Sequence, residues 1–195
     1  MADLLGWKAI FVAAVFTLML AICHRRIAIA LVIAFSARAA AALINFYVVL
    51  LPDGGADAVT FERYAWQWGR DGFTEAFTHF TGPDAYFYSW VMSLLYAVTD
   101  RSLLMLQATS VLVGVLGVFF AWRLAQELWD EKNARKVAWV MALFPTVVLY
   151  GALTMREAWI VLFFILGLIG VVRWAKNGGF RPVAGGIAAF IASTF

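Results

Sequence analysis

Charge is scarce in this chain. Asp, Glu, Lys and Arg make up only 14% of its 195 residues, where a soluble domain carries about one quarter. A core of ordinary size cannot absorb a chain that is 64% hydrophobic with a mean hydropathy of +0.85. A bilayer can. The one cysteine, Cys23, excludes an intrachain disulfide and leaves the redox compartment unread. The chain also lacks a zinc-type His/Cys cluster, a Gly-rich phosphate loop, a Gly-x-Ser-x-Gly elbow, an internal repeat and any low-complexity tract. Cys23 and His24 are adjacent, and neighbours on a helix point about 100° apart, so they form no nucleophile–base pair. The net charge of +3 is small, and no basic, aromatic-interleaved soluble surface exists, which argues against nucleic acid as a partner.

What is abundant is apolar sequence in long runs. A crossing helix needs about 20 apolar residues at a rise of about 1.5 Å each. Residues 4–23, 27–51, 102–124, 137–153 and 158–172 qualify, the last two near the lower limit, and a sixth run begins at Val183 and is still apolar at Phe195. The first run is longer than a signal-peptide core and has no basic stretch before it, so it reads as a retained helix. The abrupt apolar stop at Phe195 reads as a fragment of a longer protein.

Lys and Arg set the expected orientation. Placing Arg25, Arg26, Arg123, Lys132, Arg135, Lys136, Arg173, Lys176 and Arg181 inside gives nine cations there against three acids, Glu127, Asp130 and Glu131. The outer side then holds nine acids and five cations. The N-terminus and the polar segment 52–101 fall outside. That segment is rich in aromatics, which suit a membrane–water interface. Phe61, Tyr64, Ala65 and Trp68 recur at helical spacing and predict a helix over 57–68. A second is expected over 74–80, ended by Gly82-Pro83. A third, over 85–98, is too short to cross comfortably and reads as a helix lying along the surface. Asp100 is the expected N-cap of the next span.

Several residues carry candidate chemistry. Arg156 and Glu157 sit together in a short turn between two apolar helices, either as interfacial charges among lipid headgroups or as a functional acid beside a phosphate-binding cation. Asp57, at a helix start near the exit of a span, suits a general base as well as an N-cap. Asp53 reads as a loop residue. Arg38 lies in mid-span, about 17 Å from its inner end by helix rise; it is a functional candidate, or a structural cation held by backbone carbonyls or a neighbouring helix. Arg63, Arg70 and Arg101 carry forks that match phosphate oxygens. His79 reads as an interfacial polar residue within reach of substrate.

The outline resembles the GT-C class of membrane glycosyltransferases, which includes the protein mannosyltransferases and the lipid A aminoarabinose transferases. The likeness is carried by Arg38 in the second span, by Asp57-Ala58-Val59-Thr60-Phe61-Glu62-Arg63-Tyr64-Ala65, by Gly82-Pro83-Asp84-Ala85-Tyr86-Phe87-Tyr88 with Leu94-Leu95-Tyr96, and by Leu143-Phe144-Pro145, Tyr150 and Arg156-Glu157-Ala158. It implies an all-α, polytopic membrane helix bundle with outer-face juxtamembrane helices. Residues 1–26 form an extra transmembrane helix, 27–195 an incomplete GT-C-like module, and 52–101 its first extracytoplasmic loop. It implies a multi-pass protein of a bacterial-type inner or plasma membrane.

The resemblance further implies transfer of a sugar from a polyprenyl-phosphate donor to a hydroxyl of a glycan, lipid or protein acceptor. Asp57 and Glu157 are then the catalytic pair, with Arg156, Arg63, Asp53, Arg38 and His79 binding substrate. No metal is assigned, and Asp57 and Glu157 are the pair to hold a divalent cation if one is used. Two other readings share the outline: a Wzy-like polysaccharide polymerase or ligase, and a non-enzymatic transporter or flippase subunit.

Overall fold

Asp3 opens the first helix, its Oδ1 accepting from the Gly6 backbone N–H at 2.9 Å. Its second oxygen accepts from the Ser102 hydroxyl at 2.6 Å, and Ser102 in turn caps a later helix by accepting from Met105 N–H at 3.0 Å. One chain of hydrogen bonds thus ties together two helix N-termini that lie 99 residues apart. Ser102, not Asp100, is the N-cap; Asp100 Oδ1 accepts instead from Arg101 N–H.

The computed structural model describes residues 3–82 and 84–194, and among them the chain is helical with no strand. The expectations placed on Pro83 and Phe195 lie outside the described residues. The helices are α1 (Leu4–Cys23), α2 (Ala28–Tyr47), α3 (Asp57–Gly69), α4 (Phe73–Thr78), α5 (Phe87–Val98), α6 (Leu103–Leu128), α7 (Glu131–Leu143), α8 (Pro145–Tyr150), α9 (Glu157–Asn177) and α10 (Phe180–Ser193). A single 3₁₀ turn, Arg25–Ile27, joins α1 to α2. Four of these segments are long and apolar enough to cross a membrane: α1, α2 with its preceding turn, α6 and α9. In α6, 67% of the most apolar window is buried inside the bundle, against 22% in α1 and in α9. Helix α6 is therefore the hub, and the outer helices leave large apolar side chains such as Phe11, Ile29 and Phe164 exposed, as lipid-facing surfaces do.

Contacts at each turn show that α1, α6 and α9 run one way and that α2 and the α7–α8 pair run the other. At one end, Arg26 reaches Glu131 at 3.6 Å, and Arg173 reaches Glu127 at 3.1 Å, so the α1–α2 turn, the α6–α7 turn and the end of α9 share that end. At the other end Tyr150 reaches Asp53. We call these the basic end and the loop end.

The run expected as one span over 137–153 is instead two helices, α7 and α8, broken at Phe144-Pro145. Proline disfavours the helical region for the residue before it, and Phe144 is extended with ψ 119°. Pro145 also has no N–H to offer the Met141 carbonyl four residues back. Arg38 answers that vacancy. Its Nη2 donates to Met141 O at 2.9 Å, and its Nη1 to Ala142 O at 3.1 Å and to Ala34 O at 3.0 Å. Arg38 is fully buried and has no carboxylate within 4 Å among the described residues. Room for it comes from two glycines: a Cβ on Gly114 or on Gly151 would stand 2.6 or 2.8 Å from Arg38 Nε.

The connection between α2 and α6 folds as the three expected short helices, with ends shifted by one or two residues. Helices α3 and α5 pack against each other through aromatic edges: Phe61 on Tyr88 at 5.7 Å, Tyr64 on Tyr86 at 4.7 Å and Trp66 on Tyr96 at 5.8 Å. The buried stripe of α3 is Ala58, Phe61, Glu62, Ala65 and Gly69. It is turned from the expected face because Glu62, an acid, is inside, while Tyr64 and Trp68 are half-buried.

Candidate active site at the loop end of the bundle

Two connections meet at the loop end, and each carries acids. The first leaves α2 at Asn45, whose Oδ1 accepts from Leu51 N–H at 2.9 Å and turns the chain back. Asp53 follows in the left-handed region at φ 65°, where aspartate is among the few non-glycine residues tolerated. The second connection, residues 151–156, is buried through Met155.

Two hydrogen bonds join them. Tyr150 Oη donates to Asp53 Oδ2 at 3.0 Å, and Thr154 Oγ1 donates to the Ala58 carbonyl at 2.9 Å. Ala58, Leu153 and Met155 form a small apolar cluster beneath these bonds. The start of α3 and the approach to α9 are thereby held together. Asp57 is the first residue of α3 and Glu157 the first of α9. A carboxylate in a first helical turn is stabilised by the helix dipole. The N-cap of α3 is Ala56, so Asp57 is not the cap, and its exposed carboxylate makes no hydrogen bond among the described residues. Glu157 is half-buried, and its Oε2 is buried without a hydrogen-bond partner among the described residues.

Two cavities flank the start of α9. One, of about 220 Å³, is lined by Glu157, Tyr150, Thr146, Gly114 and Gly151, beside the α7–α8 break. The other, of about 280 Å³, is lined by Arg156, Tyr88, Phe87, Trp159 and Phe163 and is almost wholly apolar. Tyr88, whose hydroxyl faces Ser110 and feels the Glu157 charge, comes from α5. The Tyr88 and Ser110 hydroxyls are buried, like Glu157 Oε2, without meeting hydrogen-bond geometry among the described residues.

The remaining candidates are placed apart from this meeting point. Arg38 is committed to the backbone carbonyls of α7 and α2. Arg63 is exposed, with its guanidinium 5.8 Å from the Tyr64 ring. His79 stacks on Trp68 at 5.6 Å with 16° between the planes. Arg70 pairs with its neighbour Asp71 at 3.2 Å. Arg101 is taken by Glu62, its Nε donating to Oε1 at 2.9 Å and Nη2 to Oε2 at 2.8 Å. Tyr96 Oη donates to the same Oε1 at 3.1 Å. The hydrogen bonds to Glu62 raise the Arg101 guanidinium above its usual range, and burial, then the Glu62 charge, push the Tyr96 hydroxyl well up. Sequence reasoning missed this clamp. The signal available was a lone acid on the apolar face of α3, which burial without a cation would not permit. Among the described residues no group of three or more His, Cys, Asp and Glu could hold a metal ion.

An all-helical bundle with four helices long and apolar enough to span a bilayer is a membrane protein of the α-helical class. Comparison with family models, with curated proteins and with solved structures finds no match for the chain.

Proposed function

We propose that this protein is a membrane glycosyltransferase of GT-C type, moving a sugar from a polyprenyl phosphate to an acceptor hydroxyl. The reading places it as a multi-pass protein of a bacterial-type inner membrane, with the N-terminus and the loop end outside and the basic end in the cytoplasm. The observation that carries it is the pair of hydrogen bonds, Tyr150 to Asp53 and Thr154 to Ala58, which join the two acid-bearing connections at one end of the bundle. A transferase acting on a lipid-linked donor needs its acids at the membrane boundary, next to an apolar groove and a cation. Glu157 follows Arg156, which lines the apolar cavity, and Asp57 opens the helix that Thr154 ties to the same connection.

In this reading the acceptor oxygen attacks the anomeric carbon, the bond from that carbon to the phosphate oxygen breaks, and polyprenyl phosphate leaves. Asp57 takes the acceptor proton; its exposed carboxylate is not committed elsewhere among the described residues. Asp53, held by Tyr150, fixes the turn before it. Glu157 orients the acceptor, or with Asp57 holds a divalent cation. Arg156 offsets charge on the departing phosphate, a contribution strongest where water is scarce, while Arg63 stays on the loop surface. His79 and Arg38 keep only outer roles: His79 on the loop surface, Arg38 in holding the α7–α8 break that lines the Glu157 cavity. The test is radiolabelled sugar transfer in membranes carrying the protein. Asp57→Asn is expected to lower transfer by about 100-fold or more with membrane insertion intact. Full activity in that variant overturns the assignment, as does movement of the lipid-linked sugar across liposomes without transfer.

A further inference from the structure

The basic end holds a cleft that the reading above does not use. It measures about 400 Å³ and is lined by Ile22, Cys23, His24, Arg25, Arg26, Trp122 and Gln126, where the α1–α2 turn leans on α6. Its inner wall is built. His24 Nδ1–H donates to the Leu20 carbonyl at 3.1 Å, and the ring sits edge-on to Phe119 at 4.7 Å and to Trp122 at 5.7 Å. Gln126 is fixed by Glu131, to which its Nε2 donates at 2.6 Å. Glu131 Oε2 is also paired with Arg26, while its Oε1 is buried with no hydrogen-bond partner among the described residues.

Two hydrogen-bond donors of the cleft lining are left unanswered. Trp122 is 4% exposed and lines the cleft, yet its Nε1–H is buried with no partner among the described residues. Arg25 is exposed at the rim, and its guanidinium makes no hydrogen bond or ion pair among the described residues. A buried donor with no acceptor beside an uncompensated cation fits an anion with several oxygens. The surroundings say which anion. Ile22, in the wall, continues along α1 into Met19, Leu18 and Val15, one helical face whose members are 40–68% exposed. An oxyanion seated here would have a bare apolar stripe running from it into the bilayer.

We infer that this cleft binds the phosphate of an anionic membrane phospholipid, with the acyl chains laid along the Val15–Leu18–Met19–Ile22 face of α1. Arg25 pairs with the phosphate, Arg26 adds charge from the rim, and Trp122 Nε1–H donates to a phosphate or glycerol oxygen. Basic pockets between crossing helices are the usual seats of such headgroups. The inference is independent of the glycosyltransferase reading, since it concerns the opposite end of the bundle.

The experiment uses the whole protein in nanodiscs of phosphatidylcholine with and without phosphatidylglycerol, and counts lipid retained by native mass spectrometry. Wild type is expected to retain phosphatidylglycerol in preference to phosphatidylcholine. Arg25→Gln, which breaks no hydrogen bond or ion pair among the described residues, is expected to lower that affinity about tenfold. Trp122→Phe keeps the ring and is expected to lower it several-fold. Arg181→Gln, beside a different cleft, is expected to leave it unchanged. Cys23, the only thiol and a cleft residue, supplies a second readout: phosphatidylglycerol is expected to slow its alkylation by a neutral maleimide in wild type and not in Arg25→Gln. Equal loss in Arg25→Gln and Arg181→Gln means diffuse attraction and overturns the site, as does unchanged retention in Arg25→Gln. Displacement of the lipid by millimolar inorganic phosphate assigns the cleft to soluble phosphate and overturns the lipid assignment.

Discussion

Arg38 brings a full charge into the middle of the bundle and meets no carboxylate there among the described residues. What it meets is the C-terminus of α7, where about half a negative charge accumulates from the aligned peptide dipoles. Two carbonyls stand there without helical donors because of the break at Pro145. The charge and the break therefore explain each other. Removing the guanidinium leaves both carbonyls unpaired, at about 1–3 kcal/mol each, so Arg38→Met is expected to lower stability by about 2–5 kcal/mol in unfolding titrations in detergent. If the proline creates the need, Pro145→Ala restores an N–H at that position and recovers part of the loss in the Arg38→Met background. Additive losses in the double variant would show that Arg38 holds the bundle for some other reason. Arg38→Lys is expected to fall between, since one ammonium cannot reproduce the planar fork that reaches three carbonyls.

Among the elements, α3 and α5 depend on the Glu62–Arg101–Tyr96 clamp. Neither helix crosses the membrane by length, and their shared core is a few aromatic edges and Met92. The Glu62 side chain is 7% exposed and accepts three hydrogen bonds, while Arg101 stays half in water. Loss of Glu62 strands a buried hydroxyl and frees Arg101, so Glu62→Leu is expected to loosen α3 from α5. Faster hydrogen exchange over both helices, with α6 unaffected, is the measurement. Tyr96 adds a pH dependence of fixed sign. An unfolded tyrosine ionises at about pH 10, whereas burial and Glu62 raise the folded value. Its contribution is therefore complete below pH 10 and is lost as pH rises through the higher folded value. Wild type is expected to lose stability from pH 10 upward more steeply than Tyr96→Phe in thermal scans. Most of these elements are legible in the sequence. Helices α1, α2, α6 and α9 follow from run length alone, and α3 from the spacing of Phe61 and Ala65. The clamp is legible only by half: Glu62 stands out as an acid on the buried face of α3, but Arg101 is 39 residues away and alone looks like a surface charge. The partners of Arg38 are hidden for the same reason: they lie 103 and 104 residues away, on carbonyls that no side-chain pattern marks. The site is legible only in part. Asp57 and Glu157 declare themselves as acids at helix starts, but Tyr150 and Thr154, which join their connections, are ordinary residues until the chain is folded.

At the scale of the whole molecule, the two ends differ in charge as well as in structure. The basic end gathers Arg25, Arg26, Arg123, Lys132, Arg173 and Lys176, and the three acids among them are each engaged: Glu127 by Arg173 and Lys176, Glu131 by Arg26, and Asp130 as the N-cap of α7. Cations near a crossing helix favour the cytoplasmic side, so the proposed orientation puts the basic end in the cytoplasm and the hydrogen-bonded loop end on the other side. Asp53 is bonded to Tyr150 and Ala58 to Thr154, so Asp57 and Glu157 must share a side. Cys23 lies at the far end of α1, which starts beside Ser102 at the loop end. An impermeant maleimide is therefore expected to label native Cys23 only from the cytoplasmic side. With Cys23 replaced by Ala, cysteines introduced at Asp57 and at Arg63 are expected to react only from the opposite side, both positions being exposed. A reactive cysteine at Asp57 on the same side as Cys23 is incompatible with α1 and α2 crossing as an antiparallel pair. It would remove the shared face on which both the acid pair and the glycosyltransferase reading stand.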